Sequence, residues 1–172
     1  FSLAIQNHRK NNLQIVEKLY KEVLKIKSND LQSNFLLGTL SAQTKKFDIA
    51  KQLLNKAIQI NPNHADAHNN LGLVFKEVGE REKSISCYKK AIEINSKSLS
   101  PNANTWLQTH KAKSLASAYL NLGVVHEEHG ELKKATDCYA KALEFNPNSI
   151  NSQANISNIY ISQLNNLEKA IN

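Results

Sequence analysis

Apolar and polar residues alternate along this chain with a helical period. Ala50, Leu54 and Ala57 fall at i, i+4 and i+7, and so do Ala135, Tyr139 and Ala142. That spacing puts each trio on a single stripe of an α-helix. A second mark precedes each stripe, with the pairs Leu37-Gly38, Leu71-Gly72 and Leu122-Gly123 lying inside an earlier helix. Small Ala or Ser lets two helices approach, and an aromatic or Leu fills the wider gap beside them. A mid-helix glycine costs roughly 1 kcal/mol relative to Ala, so Gly72 and Gly123 point to close backbone contact. The pattern predicts an all-α chain of paired helices.

Aligned on these marks, the chain repeats every 34 residues. Residues 31–64 carry Leu37-Gly38, Ala50, Leu54, Ala57 and Pro62. Residues 65–98 carry Leu71-Gly72, Phe75, Gly79, Ser84, Tyr88 and Ala91, with Ser96 in the proline slot. Residues 116–149 carry Tyr119, Leu122-Gly123, Gly130, Ala135, Tyr139, Ala142 and Pro147. Gly79 and Gly130 end their first helices at a place suited to left-handed backbone. Lys45 holds that slot in 31–64, so its turn is expected to be less well specified. Pro62 and Pro147 stop second helices.

The flanks read as partial repeats, 1–30 and 150–172. The first offers Leu3-Ala4, Val16, Tyr20, Val23 and Ser28; the last offers Ile156-Ser157 and Tyr160. A one-residue shift then places Ala170 in the Ala slot, so the chain is expected to stop within a second helix. Neither flank supplies the polar capping helix that a repeat array needs, so the sequence reads as a piece of a longer protein.

A large residue, then Leu-Gly, an aromatic, and later Ala, aromatic, Ala and Pro: this order resembles the tetratricopeptide repeat (TPR) family. The resemblance implies a right-handed α-solenoid of antiparallel helix pairs, a single array over 1–172, whose first helices line a concave groove. In the family, positions 2, 5, 6, 9, 12 and 13 of the first helix tend to face that groove. Position 6 reads Leu36, Asn70, Asn121 and Asn155. Three successive Asn resemble the asparagine ladder of peptide-binding arrays of the O-linked N-acetylglucosamine transferase type. The chemistry is apt, because a primary amide both donates to and accepts from a peptide backbone. Phe35, Leu73, Leu120 and Val124 would add apolar lining, while Asp66, Lys76, Glu77 and Glu128 add charge.

Residues 99–115 interrupt the period, since the Leu-Gly pairs at 71 and 122 stand one repeat and 17 residues apart. Pro101 and Asn102 predict a loop over 96–104, followed by an overlong first helix from about Thr105 to His129. Trp106, the sole tryptophan, lies in this insertion. It either packs the extra turns onto their neighbour or serves as an exposed anchor for a partner.

Charge alters the picture less than its sum suggests. The chain carries 22 Lys+Arg against 15 Asp+Glu, a formal net +7. Only Arg9 and Arg81 are arginines, and the lysines are dispersed from Lys10 to Lys169, mostly beside an acid. A phosphate track needs clustering, so nucleic acid is not an expected partner. No apolar run approaches the ~20 residues of a membrane span. Helical-repeat RNA binding is disfavoured by the 34-residue period as well as by the diffuse charge.

Candidate chemistry is sparse. His126 and His129 lie at i, i+3 with Glu127 and Glu128 beside them, but His126 fills the slot that Phe75 and Tyr160 fill elsewhere. A partly buried core histidine is the simpler reading, and neither metal nor cofactor is expected. Glu127 and Glu128 read as exposed, and His64 and His68 as solvent-facing at a helix start. Cys87 and Cys138 occupy the same repeat position, about a helix diameter apart, too far for a disulfide. Free thiols suit a reducing, cytoplasmic setting. No catalytic site is expected. The chain reads as a protein-interaction scaffold that holds an extended peptide in its groove; the alternative is the substrate-recruiting array of a larger transferase whose catalytic domain lies elsewhere.

Overall fold

The computed structural model describes residues 13–98 and 106–171, without side-chain detail at 106–107 and 167–171. Among the described residues there are eight α-helices: α1 (Leu13–Ile26), α2 (Leu31–Gln43), α3 (Phe47–Ile60), α4 (Ala65–Glu77), α5 (Arg81–Ser98), α6 (Trp106–Glu128), α7 (Leu132–Phe145) and α8 (Ile150–Ile171). They form two compact units. Unit 1, Phe1–Glu80, holds α1–α4; unit 2, Arg81–Asn172, holds α5–α8. The fold class is all-α, as the helical period requires.

In unit 1, α2 packs on α1, α3 and α4. The stripe on α3 is wholly inward, with Ala50, Leu54 and Ala57 all fully buried. Burying Leu54 alone is worth about 1.5–3 kcal/mol. Val16, Tyr20, Leu37 and Leu40 form a second cluster, against which Leu36 and Leu53 pack. The α1–α2 turn is held by polar groups. Asp30 caps α2 by accepting from Ser33 N–H at 2.8 Å, and buried Asn34 donates from Nδ2 to the carbonyls of Ser28 and Asp30.

In unit 2, α6 packs between α5 and α7, and α8 packs on α7. The stripe Ala135, Tyr139 and Ala142 is fully buried, with Ile159 of α8 closing the cluster. Both α3 and α7 end two residues before a proline, at Ile60 and Phe145. The chain then turns through Asn61 or Asn146, whose N–H bonds back to Ala57 or Ala142.

Three expectations need correction. The turn at Lys45 is fully specified: Lys45 adopts φ +58°, beside +79° at Gly79 and +73° at Gly130. The next N–H in each case reaches back five residues, from Lys46 to Ser41, Glu80 to Phe75 and Glu131 to His126, at 2.8–2.9 Å. This helix-ending hydrogen bond is strong enough to hold a lysine in left-handed backbone.

The loop expected over 96–104 does not begin at 96. Because Ser96 replaces the proline, nothing stops α5, and it runs one further turn to Ser98. The early turns of α6 lie along that extension. Asn95, nearly buried, donates to Ser114 Oγ at 2.9 Å, Lys111 Nζ reaches Ser98 O at 3.2 Å, and Leu115 is fully buried. The overlong first helix is present as Trp106–Glu128; residues 99–105 lie outside the described residues.

The third correction concerns 150–172, where no second helix starts. Leu164 stands in the slot of Gly79 and Gly130, where a Cβ disfavours left-handed backbone. The chain continues as one helix through Ile171.

Candidate functional site

The residues expected to line a groove gather separately in each unit. In unit 1, α4 presents Asn70 and Leu73 one turn apart, and i, i+3 residues share a helix face. Asn70 Nδ2 donates to Thr39 Oγ1 on α2 at 2.9 Å, and that hydroxyl donates to Phe35 O at 2.8 Å. This chain of bonds sets the plane of the amide. Leu73 beside it is 38% exposed. Phe35 does not stand alone; its ring lies 4.5 Å from that of His64, tilted by 38°.

In unit 2, Asn121 and Val124 repeat the Asn70–Leu73 spacing on α6, and Asn121 is half-buried. Leu120 and Val124 are partly buried against the Ala135–Tyr139–Ile159 cluster, so they belong to the core margin as well as to this face. Asn155 on α8 hydrogen-bonds the Tyr139 hydroxyl. That hydroxyl donates to Glu127 Oε2 on α6. Burial, then the Glu127 carboxylate, push the phenol well above its ordinary range, so it stays a donor. Glu127 is thus a half-buried acceptor that ties α6 to α7, and Asn155 extends the tie to α8.

The sequence marked Asn70, Asn121 and Asn155 but missed Thr39, Tyr139 and Glu127 as their partners or neighbours in this bonding. Thr39 was legible in principle, since it occupies the repeat position of Leu73 and Val124. Leu36, at the same repeat position in 31–64, packs into the α1–α2 cluster. Trp106 opens α6, but its side chain lies outside the described residues.

The family pattern described as tetratricopeptide repeat matches residues 65–98 and 116–149, and a TPR repeat pattern matches 41–79, together more than half of the chain. The chain belongs to the tetratricopeptide repeat family. Among curated relatives, this TPR chain is 31% identical over 84 residues to the uncharacterized protein ycf37 of Pyropia yezoensis, covering 48% of the chain and 47% of that protein. It is 31% identical over 130 residues to the BBSome complex member BBS4 of Bos taurus, covering 76% of the chain and 22% of that protein. The chain therefore spans about half, or about a fifth, of these relatives. Among solved structures, MamA superposes with TM-score 0.74 at 23% identity over 95% of this chain and 85% of that one. Pseudomonas aeruginosa pilF does so with TM-score 0.76 at 15% identity, over 95% and 67%.

His126 and His129 of this TPR chain are engaged structurally. His126 is buried, and its Nδ1 meets Glu131 Oε2 at the start of α7. Arg81, the first residue of α5, holds the other Glu131 oxygen at 2.7 Å, and Lys134 lies 3.4 Å away. Hydrogen bonds from Arg81 and His126 hold the Glu131 carboxyl down at about 2. His129 Nδ1 donates to Val125 O at 2.7 Å.

His64 and His68 do not simply face solvent. His64 caps α4 by accepting from Ala67 N–H at 3.3 Å, and burial lowers its pKa; His68 Nε2 lies 3.0 Å from Pro62 O. An imidazole fits here because the Phe35 ring covers one side of it. Cys87 and Cys138 are free, with thiols pushed up by burial to about 11. Among the described residues, no group of three or more His, Cys, Asp or Glu could hold a metal, and no helix is long and apolar enough to cross a membrane.

Proposed function

We propose that this TPR chain is a protein-interaction scaffold that holds extended peptide segments of a partner against its first-helix faces. The observation that carries the reading is the pairing on α4 of an oriented amide with an exposed leucine. Asn70 spends one N–H on Thr39; its amide still has a second N–H and a carbonyl oxygen to offer a peptide backbone. Leu73 gives an adjoining side chain an apolar contact. Asn121 with Val124 repeats the spacing on α6, with Val124 partly buried, and Asn155 adds an amide on α8 that already bonds Tyr139. Phe35 and Leu120 extend the apolar part of each face. The relative matched over three quarters of the chain is a BBSome complex member, which accords with a scaffold.

Each amide–backbone bond is worth a net ~0.5–1.5 kcal/mol, so affinity is modest and tolerant of peptide sequence. The test selects binders from an unstructured peptide library and titrates them against the wild type and two variants. Leu73→Ser and the pair Asn70→Ala with Asn121→Ala should each weaken the selected peptides at least tenfold, with the melting temperature shifted little. Peptides that bind all forms equally would refute the reading.

A further inference from the structure

Three first helices begin, at the same repeat slot, with a side chain that caps them. Asp30 accepts from Ser33 N–H at 2.8 Å, His64 Nδ1 from Ala67 N–H at 3.3 Å, and Ser149 Oγ from Ser152 N–H at 3.4 Å. Each bond satisfies a donor that the first turn leaves without a partner, and so holds that turn closed. His64 differs from the other two, because its acceptor is the one lost near neutral pH. An imidazolium carries a proton on both nitrogens and accepts nothing. Its charge would also face the positive end of the α4 dipole. The same ring lies 4.5 Å from the ring of Phe35 on α2. Asn70 follows little more than a turn behind the cap, and its backbone N–H bonds four residues back into that first turn.

We propose that His64 is a positioning residue for the Phe35–Asn70–Leu73 face, competent only as the neutral imidazole, so that mild acid loosens a peptide held there. The proposal rests on the peptide-holding reading of that face. The neutral ring supports the face twice: it covers one side of Phe35, and it closes the turn that carries Asn70. Losing the acceptor undoes both, because the ring must swing away from Ala67 and with it from Phe35. Few charges bear on the ring. Burial, the largest influence, and the neighbouring His68 disfavour the cation; Asp66 and the ring's own backbone carbonyl favour it, and the ring titrates below its ordinary 6.5. The helix that carries Phe35, α2, has no ionisable side chain, and those of α3, Asp48, Lys51 and Lys56, all precede its last turn. A histidine held down in this way binds fewer protons folded than unfolded. Its support is therefore complete above 6.5 and is lost as pH falls through the folded value. The carboxylate cap at Asp30 is itself held down by Ser33, so it keeps its acceptor through the same range.

The probes are peptides selected from an unstructured library at about pH 7.5, blocked at both ends and free of His, Asp and Glu, so that only the chain titrates. Those that Leu73→Ser weakens report the face. Their affinity for the wild type should fall at least about fivefold between about pH 7.5 and about pH 5. His64→Asn supplies a capping acceptor that does not titrate. It should bind within about threefold of the wild type at the higher pH and change less than about twofold across the range. His68→Gln should keep the wild-type fall. A reading without peptide comes from urea midpoints, where His64→Asn should gain on the wild type as the pH drops. If no selected peptide is weakened by Leu73→Ser, the face reading fails and this proposal with it. If such peptides bind the wild type equally at both pH values, or if His64→Asn keeps the fall, the face stands and the proposal is overturned.

Discussion

Lys45 is a single residue working against its own preference. A non-glycine residue in left-handed backbone carries about 1–2 kcal/mol of steric cost. Glycine would remove that cost but adds roughly 0.5–1 kcal/mol of unfolded-chain entropy. The balance predicts that Lys45→Gly raises stability by about 0.5–1 kcal/mol, read as a higher urea midpoint at unchanged slope. A lower midpoint would mean that the lysine side chain contributes something its backbone does not reveal. Glycines at the helix crossings behave in the opposite sense. There the hydrogen is needed for closeness, and the neighbour decides how much a methyl group would cost.

At the scale of elements, Glu131 is where three helices meet: Arg81 from α5, His126 from α6 and the start of α7 itself. Its carboxyl lies at about 2 in the folded chain, below its ordinary 4.5. A depressed carboxylate binds fewer protons folded than unfolded between those values. Its contribution to stability is therefore complete above pH 4.5 and fades as pH falls towards 2. Glu131→Gln should flatten the acid limb of the stability–pH curve over that window and lower the plateau near neutrality. Acid-induced loss of equal steepness in both forms, followed by thermal melts at half-unit pH steps, would show that other carboxylates dominate. The lengthening of α5 and α6 obeys a similar local logic. One missing proline lets α5 run on, and the added turn is then held by Ser114 and Lys111 from α6.

For the whole molecule, repeat proteins distribute a perturbation through nearest-neighbour interfaces. Gly123→Ala should test this. Its methyl group meets a Tyr139 ring that cannot swing away, because Glu127 and Asn155 hold the hydroxyl. Overpacking of about 1–3 kcal/mol should exceed the ~1 kcal/mol that alanine gains in helix propensity. Gly38→Ala would place its methyl group 2.9 Å from the Cγ of buried Leu54 and 3.2 Å from Leu53 Cβ, so it should destabilise too, by less than Gly123→Ala. Amide exchange in Gly123→Ala should quicken first in α6, α7 and α8, and last in α1 and α2. Uniform acceleration along the chain would indicate one cooperative block.

Much of this protein was readable from its residues, for a definite reason. A repeat restates its local signals, so the stripe Ala135-Tyr139-Ala142, the glycines at 79 and 130 and the prolines at 62 and 147 located helices and turns by mutual agreement. These are short-range effects: helical period, left-handed backbone, a missing N–H. The choice of Asn70, Asn121 and Asn155 rested on the resemblance to the family, which singles out that repeat position as groove-facing. What each amide touches was settled elsewhere. Asn70 meets a threonine 31 residues earlier and Asn155 a tyrosine on the preceding helix, bonds that exist only once helices pack. Glu127 read as exposed until α7 brought a buried phenol to it, and His64 as solvent-facing until Phe35 covered it. Lys45 entered left-handed backbone because the hydrogen bond from Lys46 to Ser41 outweighed a local preference. The course of the chain follows from local chemistry; which polar groups the fold consumes depends on contacts across helices that no single segment encodes.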